Sequence, residues 1–215
     1  MAREPWRGSS IRVYVWDRCL LLQAGTLEFH VWSARVDRIE QPDRMVFDID
    51  PDPKTPWAEV PRTAIRLRDH LLRFGLESFV KTTGGKGLHV VVPLRRGPDW
   101  QEVGGFAAGL CGILIRESPE MYTAHLQRLR RQGRIFLDTL RNTRAHTWVA
   151  PYSPRAREGA PVSCPVSWAE ITPKLESHRF TVETLSKGLP GRDPWKGIAE
   201  IRQTITAAML RKVGA

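Results

Sequence analysis

Two aspartates one residue apart end an apolar run in the segment VFDIDPDPKTPW, residues 46–57. Alternate residues of a strand share a face, so Asp48 and Asp50 should project side by side and need a positive group between them. Asp138 stands in a second apolar segment, IFLDTL. Three such carboxylates suit one or two divalent ions, Mg²⁺ or Mn²⁺, of the kind used in phosphoryl transfer. Alternatively, each aspartate caps a turn or pairs with one of the 33 Lys and Arg residues.

A second constellation is the glycine-rich segment KTTGGKGLH, residues 81–89. Glycines let a backbone approach an anion closely, while Thr83, Lys86 and His89 add a hydroxyl, a point charge and a ring donor. The segment therefore predicts a phosphate cradle between two strands. It is not a P-loop, because the GxxxxGK[ST] order is absent. A plain hairpin turn with a solvent-facing lysine explains the loop equally well.

A third constellation is RNTRAHTWVAPYSPRAR, residues 141–157, where four arginines and a histidine alternate with Trp148 and Tyr152. Arginine forks bind phosphates and aromatic rings stack on bases, so this segment could hold a nucleotide or a strand. A solvated charged face is the alternative. His30 lies on an apolar strand, LEFHVW, where a lone histidine is more often a hydrogen-bonded structural residue than a ligand.

The composition describes one soluble globular domain over residues 1–215, with 41% apolar and 26% charged residues. The net charge of +10 favours a polyanionic partner, nucleic acid above all, although a basic solvated surface is the alternative. The sequence contains no apolar run long enough for a membrane span and no secretory signal, so we expect a cytoplasmic protein without a membrane partner. Its three cysteines have no paired or metal-ligand spacing.

The elements that must position these residues form a mixed α/β pattern. Strands are predicted at 12–17, 20–25, 26–32, 44–50, 78–83, 88–94, 134–140, 147–153 and 179–185. Helices are predicted at 60–75, 102–117, 119–133 and from about Ile198, with a turn at 168–171. Because the strands cluster in groups, an α/β (α+β) fold of mixed sheets flanked by helices fits better than a doubly wound sheet.

Taken together, the motifs resemble the polymerase domain of the bacterial non-homologous end-joining ligase, a branch of the archaeo-eukaryotic primase superfamily. The resemblance runs in order over roughly residues 12–197. It is carried by LEFHVWSARVDRIEQPDRMVFDIDPD, KTTGGKGLHVVVPL, IFLDTLRNTRAHTWVAPYSPRAREGAPVSCPVSWAEI, and RFTVETL with the later DPW.

The resemblance implies a primase-type catalytic sheet in which Asp48, Asp50 and Asp138 hold two Mn²⁺ or Mg²⁺ ions. It also implies binding of the incoming nucleoside triphosphate by Thr83, Lys86, His89 and Arg155, and places His30 and Arg141 in the active site. The implied partners are DNA ends or a primer-template, the Ku end-binding protein and a DNA ligase. The implied activity is addition of nucleotides, with ribonucleotides preferred, to DNA 3′-ends.

The chain also departs from the family pattern. Family domains begin with a basic and aromatic segment that grips the DNA end, and this chain starts at about the first strand after it, so we expect weaker DNA-end binding. Thr83 replaces the usual serine but keeps a hydroxyl donor. The alternative function is a non-catalytic DNA-binding relative of the polymerase domain.

Overall fold

The computed structural model describes residue 21 and residues 23–176, 178–188, 191 and 193–215. The strand predicted at 12–17 lies outside the described residues. Within the segment 20–25 the strand prediction is wrong, because Leu21 and Gln23 are helical and a turn follows at 24–25. No helix in the described ranges is both long and apolar enough to cross a membrane.

Ten strands and four helices are assigned over these residues. The strands are β1 His30–Val31, β2 Arg44–Pro51, β3 Phe79–Thr82, β4 Leu88–Pro93, β5 Tyr122–Thr123, β6 Ile135–Asp138, β7 Trp148–Val149, β8 Ser153–Pro154, β9 Val162–Ser163 and β10 Pro165–Val166. The helices are α1 Glu59–Arg73, α2 Trp100–Glu117, α3 Val182–Ser186 and α4 Ala207–Val213. Short 3₁₀ turns occupy Val36–Arg38, Arg128–Arg130, Leu140–Asn142 and Trp168–Glu170.

A six-stranded sheet in the order β10-β3-β4-β2-β6-β5 forms the centre of the molecule. Its pairs are antiparallel except β5 with β6. The short pairs β1–β7 and β8–β9 form separate two-stranded sheets. The α/β (α+β) class, with sheets flanked by helices, is therefore confirmed.

The two faces of the central sheet bury different partners. Phe47 and Ile49 of β2 belong to the larger core, together with apolar residues of α1 and α2. Val46, one position along, points to the opposite face and packs with Trp148 and Trp195. Asp48 and Asp50 share the face of Val46, because alternate residues of a strand lie on one side. Helices thus cover one face, while the other carries the carboxylates.

Several predicted elements are confirmed with shifted ends. The helices predicted at 60–75 and 102–117 are α1 and α2, and α2 begins with a capping box between Asp99 and Glu102. The strands predicted at 44–50, 78–83, 88–94 and 134–140 are β2, β3, β4 and a shorter β6. Within the predicted strand 26–32, only His30–Val31 is a strand, and it pairs with β7.

Three predictions are wrong in the second half of the chain. The helix predicted at 119–133 is replaced by the edge strand β5, a 3₁₀ turn and loop, because Tyr122 and Thr123 pair with β6. The strand predicted at 179–185 is mostly the helix α3, since Thr181 and Thr184 form a capping box. The last helix starts only at Ala207, where the Thr206 side chain caps it.

The hairpin between β3 and β4 depends on a close backbone approach at Gly87. A Cβ atom placed there would lie 2.1 Å from the carbonyl oxygen of Ile49 in β2. Gly87→Ala is therefore expected to lower the free energy of unfolding by at least about 3 kcal/mol, because the strand itself would have to shift. Urea denaturation measures this.

Gly97→Ala is the matched control, because nothing lies within 4 Å of the added methyl group. It should change stability by less than about 0.5 kcal/mol. Equal denaturation midpoints for the two variants would contradict the proposed close contact.

Candidate active site

Four ionisable side chains form one row across the central sheet. Asp138 of β6 pairs with Asp48 of β2, Asp48 pairs with His89 of β4, and His89 pairs with Lys81 of β3. Residues directly opposite one another in neighbouring strands share a face. The register of four strands thus brings together side chains that are far apart in the sequence.

The two carboxylates of this row are joined by a guanidinium. Arg141 Nη2 lies 3.3 Å from Asp48 Oδ2 and 3.6 Å from Asp138 Oδ2. Desolvation opposes ionisation of Asp48, but its contacts with His89 and Arg141 hold its pKa below the usual range. Burial raises the pKa of Asp138, partly opposed by the amide of Leu140, and the charge of Asp48 raises it further. A cation between the two carboxylates therefore removes a repulsion that the sheet register creates.

Asp50, the third predicted carboxylate, is held by a different arginine. Arg131 Nη1 lies 2.7 Å from Asp50 Oδ2, and the guanidinium packs 4.6 Å from the ring centroid of Phe136, the register partner of Asp50. Arg131 is 4% exposed and also donates to the carbonyl oxygen of Leu126. The sequence analysis did not single out this arginine.

The donor set can be compared with the needs of a divalent ion. Within the described residues, no three His, Cys, Asp or Glu side chains lie close enough together to hold a metal ion. Asp48 and Asp138 do converge on one cationic group, and carboxylate oxygens are the ligands that Mg²⁺ and Mn²⁺ prefer. These two carboxylates would fit such an ion once Arg141 leaves its place between them. Asp50 can join them only when its ion pair with Arg131 opens.

His89 and Lys81 continue the row into the protein interior. Burial lowers the pKa of His89 to about 4, and the charge of Lys81 contributes to the shift. Burial lowers the pKa of Lys81 to about 7, although the charge of Asp48 opposes this. Lys81 donates to the Ser163 hydroxyl and lies 5.6 Å from the ring centroid of Trp148. His89 is thus neutral at pH 7, and its buried Nδ1 atom has no hydrogen-bond partner in the described part of the chain.

The glycine-rich loop is organised by the Thr83 side chain. Its hydroxyl donates to the carbonyl oxygen of Gly87 and accepts from the amides of Gly85 and Gly87. Thr83 therefore shapes the loop from inside, which is a role the sequence analysis did not assign to it. Lys86, at the tip, has no ion-pair partner among the residues that the structure describes, so its charge is available to an anion.

A second network at the mouth of the site joins β1 to the segment after β8. Glu28 accepts hydrogen bonds from His30 and from the amide of Ala156, and it forms an ion pair with Arg155, whose Nε lies 3.1 Å away. Burial opposes ionisation of Glu28, but these partners lower its pKa to about 2. Arg155 also donates to the carbonyl oxygen of Thr83, which links this network to the loop. The His30 side chain is hydrogen-bonded to Glu28, as a lone strand histidine suggests, and it is 40% exposed at the mouth of the site.

Arg141 owes its position to the buried residue that follows it. The side-chain amide of Asn142 donates to the carbonyl oxygen of Val46 and accepts from the Val46 amide, both at 2.7 Å. The Asn142 side chain thus makes the two backbone hydrogen bonds to β2 that a further residue of β6 would make, at the point where β6 ends. Sequence reasoning missed Asn142 and Glu28, because the contacts of both join segments far apart in the chain.

One cleft collects nearly all the predicted site residues, and we call it the carboxylate cleft. Asp138 lies beside it, 6% exposed, behind the Arg141 bridge. The arginine-rich segment is divided, because Arg144 turns away to pair with Glu40 and Trp148 is only 1% exposed, which leaves it no free face for base stacking. The carboxylate cleft is lined by His30, Asp48, Asp50, Thr83, Gly85, Lys86, Gly87, His89, Arg128, Arg141, Thr147, Trp148, Val149, Arg155 and Arg157.

The chain is similar to known proteins over most of its length. The family model described as "LigD, primase-polymerase domain" matches residues 15–195. The chain is 43% identical over 199 residues to the multifunctional non-homologous end joining protein LigD of Pseudomonas aeruginosa, covering 90% of this chain and 23% of that protein. It is 34% identical over 161 residues to the protein of the same name from Mycolicibacterium smegmatis, covering 74% of this chain and 21% of that protein. The chain thus spans about a quarter of the length of these relatives.

A solved structure gives the same result at the level of the fold. The polymerase domain from Mycobacterium tuberculosis ligase D, in complex with DNA, superposes with a TM-score of 0.71 at 27% identity. The superposition covers 82% of this chain and 66% of that chain. The fold expected from the sequence resemblance is thereby confirmed.

The depressed pKa of His89 gives a pH-dependent stability. The unfolded chain takes up a proton on this ring near pH 6.5, whereas the folded protein does so only near pH 4. The unfolded state therefore binds more protons between these values, and the free energy of unfolding should fall as the pH is lowered from about 6.5 to about 4. His89→Gln should remove up to about 3 kcal/mol of that fall, measured by urea denaturation at several pH values.

His178→Gln is the matched control, because this side chain is 68% exposed and remote from the row in the sheet. It should leave the pH dependence close to that of the wild type. If His89→Gln shows the same acid destabilisation as the wild type, then His89 does not resist protonation in the folded protein.

Proposed function

Because the chain belongs to the LigD primase-polymerase domain family, we propose that it is a metal-dependent nucleotidyltransferase that extends DNA 3′-ends. The proposed substrates are nucleoside triphosphates, with ribonucleotides preferred, and DNA ends or primer-templates. The proposed setting is end joining, together with an end-binding protein of the Ku type and a DNA ligase. The proposed ions are Mn²⁺ or Mg²⁺ in a two-ion site.

One observation carries the proposal. Asp48 and Asp138 face each other across β2 and β6 and share a positive group, at the edge of a cleft whose other side is basic. A carboxylate pair suits a divalent ion, and a basic rim suits a triphosphate. A plain nucleic-acid binding surface has no need of a buried carboxylate pair, which would repel its ligand.

The chain's own residues would divide the work of the reaction. Asp48 and Asp138 would hold an ion, and Asp50 would join them once Arg131 releases it. When bound, such ions neutralise the triphosphate and favour the ionised 3′-hydroxyl of the primer. Lys86 and Arg155 would fix the phosphates from the loop side. Neutral His89 would donate one hydrogen bond from the floor of the cleft without adding a charge next to the ion.

The two arginines that now contact the carboxylates would have separate roles. Arg141 is anchored by the carbonyl oxygen of Thr147 and by its neighbour Asn142, so it needs only a small movement to contact a phosphate in place of Asp48. Arg131 is buried and bonded to Leu126 within its own loop. Its release from Asp50 would therefore require movement of that loop.

Primer extension tests the proposal. With Mn²⁺ and nucleoside triphosphates, the wild type should extend a DNA primer, whereas Asp48→Asn and Asp138→Asn should reduce the rate by about a thousandfold, because each removes several kcal/mol of metal-held charge stabilisation. Mn²⁺ should also raise the unfolding temperature of the wild type and not of these variants.

Asp52→Asn is the matched control, since Asp52 lies just beyond β2 and its side chain serves the amide of Lys54. It should extend primers at the wild-type rate. DNA affinity without metal should change little in all three variants. Extension that survives in Asp48→Asn would overturn the proposal, and absence of extension with any metal would favour a non-catalytic DNA-binding relative.

A further inference from the structure

A second basic cleft lies at the opposite end of β2 and β4, and we call it the arginine cleft. One wall is the register pair Arg44 and Pro93, and the opposite wall is the segment 195–202, which begins with the tryptophan of the DPW motif. Its basic residues come from four separate stretches of the chain. The arginines that line it are Arg35, Arg44, Arg95, Arg96 and Arg202.

The charges of the arginine cleft are only partly balanced. Asp43 is the acidic residue that lines it, and it is shared between Arg35 at 2.8 Å and Arg44 at 3.8 Å. Arg96 is paired with Asp37 at 2.5 Å. A net positive charge therefore remains, since five guanidinium groups face two carboxylates.

The two remaining arginines supply two of these three excess charges. Arg202 donates to the carbonyl oxygens of Ala199 and Ile201, which orient its guanidinium without neutralising it. The Arg95 side chain is exposed and has no partner in the part of the chain that the structure describes, while its backbone amide is fixed by the carbonyl oxygen of Gln203. Both groups can take an anion at little desolvation cost.

The floor of the arginine cleft is apolar and rigid. Trp195 is 8% exposed, donates to the carbonyl oxygen of Val80 and packs edge-on against Phe79. Ile198 and Ile201 pack against the same cluster. Weakly hydrated guanidinium groups above an apolar floor favour phosphates that carry an organic group over small hydrated anions.

The two clefts lie on the same face of the sheet. Arg44 and Asp48 are four positions apart on β2, so their side chains point the same way, about 13 Å apart along the strand. Between them lies the apolar cluster that contains both Trp148, which lines the carboxylate cleft, and Trp195, which lines the arginine cleft. A nucleic-acid strand rises about 3.4 Å per nucleotide, so this distance is about four nucleotides.

We propose that the arginine cleft is a second nucleic-acid contact, which binds the phosphodiester backbone of a strand that leaves the carboxylate cleft. This inference rests on the proposed function, because it takes the carboxylate cleft as the place where the strand begins. The arginine cleft lacks the facing carboxylate pair of the first site, so it binds and does not catalyse. The arginine cleft makes the affinity for a strand increase with strand length, which base pairing at the 3′-end alone does not do.

The salt dependence of binding tests this inference without metal or nucleotide. Each phosphate contact on a single strand contributes about 0.7 to the slope of log affinity against log salt. The double variant Arg95→Gln, Arg202→Gln should therefore reduce the slope for a single strand of about 20 nucleotides by about 1.4. The ratio of wild-type affinity to variant affinity should then fall about sevenfold between 50 and 200 mM salt. Arg95→Gln alone should give about half this change.

The matched control is Arg62→Gln with Arg73→Gln, two exposed arginines of α1 on the helical side of the sheet. It makes the same change of charge and should leave the slope within about 0.3 of the wild type. A single strand of about two nucleotides, which at about 3.4 Å per nucleotide is too short to reach both clefts, should bind the wild type and the Arg95/Arg202 variant equally well.

Each outcome separates the inference from the proposed function. Equal slopes for the two double variants would overturn the inference, even if primer extension is normal. So would binding of free phosphate or poly-glutamate at the arginine cleft as tight as that of the long strand, since the cleft would then be a general anion site or a protein contact. Loss of extension in Asp48→Asn with an unchanged slope is expected, because the two measurements depend on different clefts.

Discussion

The structure of the site depends on one electrostatic constraint, which is that the register of β2 and β6 places Asp48 directly opposite Asp138. Like charges that face each other across a strand pair destabilise a sheet. The pair persists because Arg141 lies between the two carboxylates. The sheet therefore holds a carboxylate pair that needs a positive group, which Arg141 supplies in the structure and which we propose a divalent ion replaces.

The surrounding structure fixes this pair from both sides. Asn142 takes the place of a strand residue on Val46 and so sets the position of Arg141, while Gly87 lets the loop hairpin approach Ile49 and so sets the register of β4. Buried neutral His89 then fills the next place in the row without opposing the charge of an ion. The larger core on the helical face makes this arrangement rigid, since it packs the alternate residues of the same strands.

Much of the site could be predicted because strand alternation is a local signal. The alternation around Asp48 predicts which face of the strand carries its side chain. The two apolar segments on either side of the glycines predict two strands, with the loop of Thr83 and Lys86 between them. The family resemblance predicts an active-site position for His30, whereas the local pattern alone indicates a structural histidine.

The remaining features depend on distant contacts that leave no local signal. Residues 119–133 have a helical composition, yet pairing with β6 makes part of them an edge strand. Arg131, in the same segment, contacts Asp50 across 81 positions of sequence, and Asn142 contacts Val46 across 96. Helix propensity is a weak preference that such tertiary contacts override.

The central claim is that Asp48 and Asp138 together bind a divalent ion. The most direct measurement is anomalous X-ray scattering from crystals soaked with Mn²⁺ and a non-hydrolysable nucleoside triphosphate. The account predicts a manganese peak bonded to both carboxylates, with Arg141 displaced from between them. At saturating Mn²⁺, an unmoved Arg141 with no manganese at this pair would contradict it.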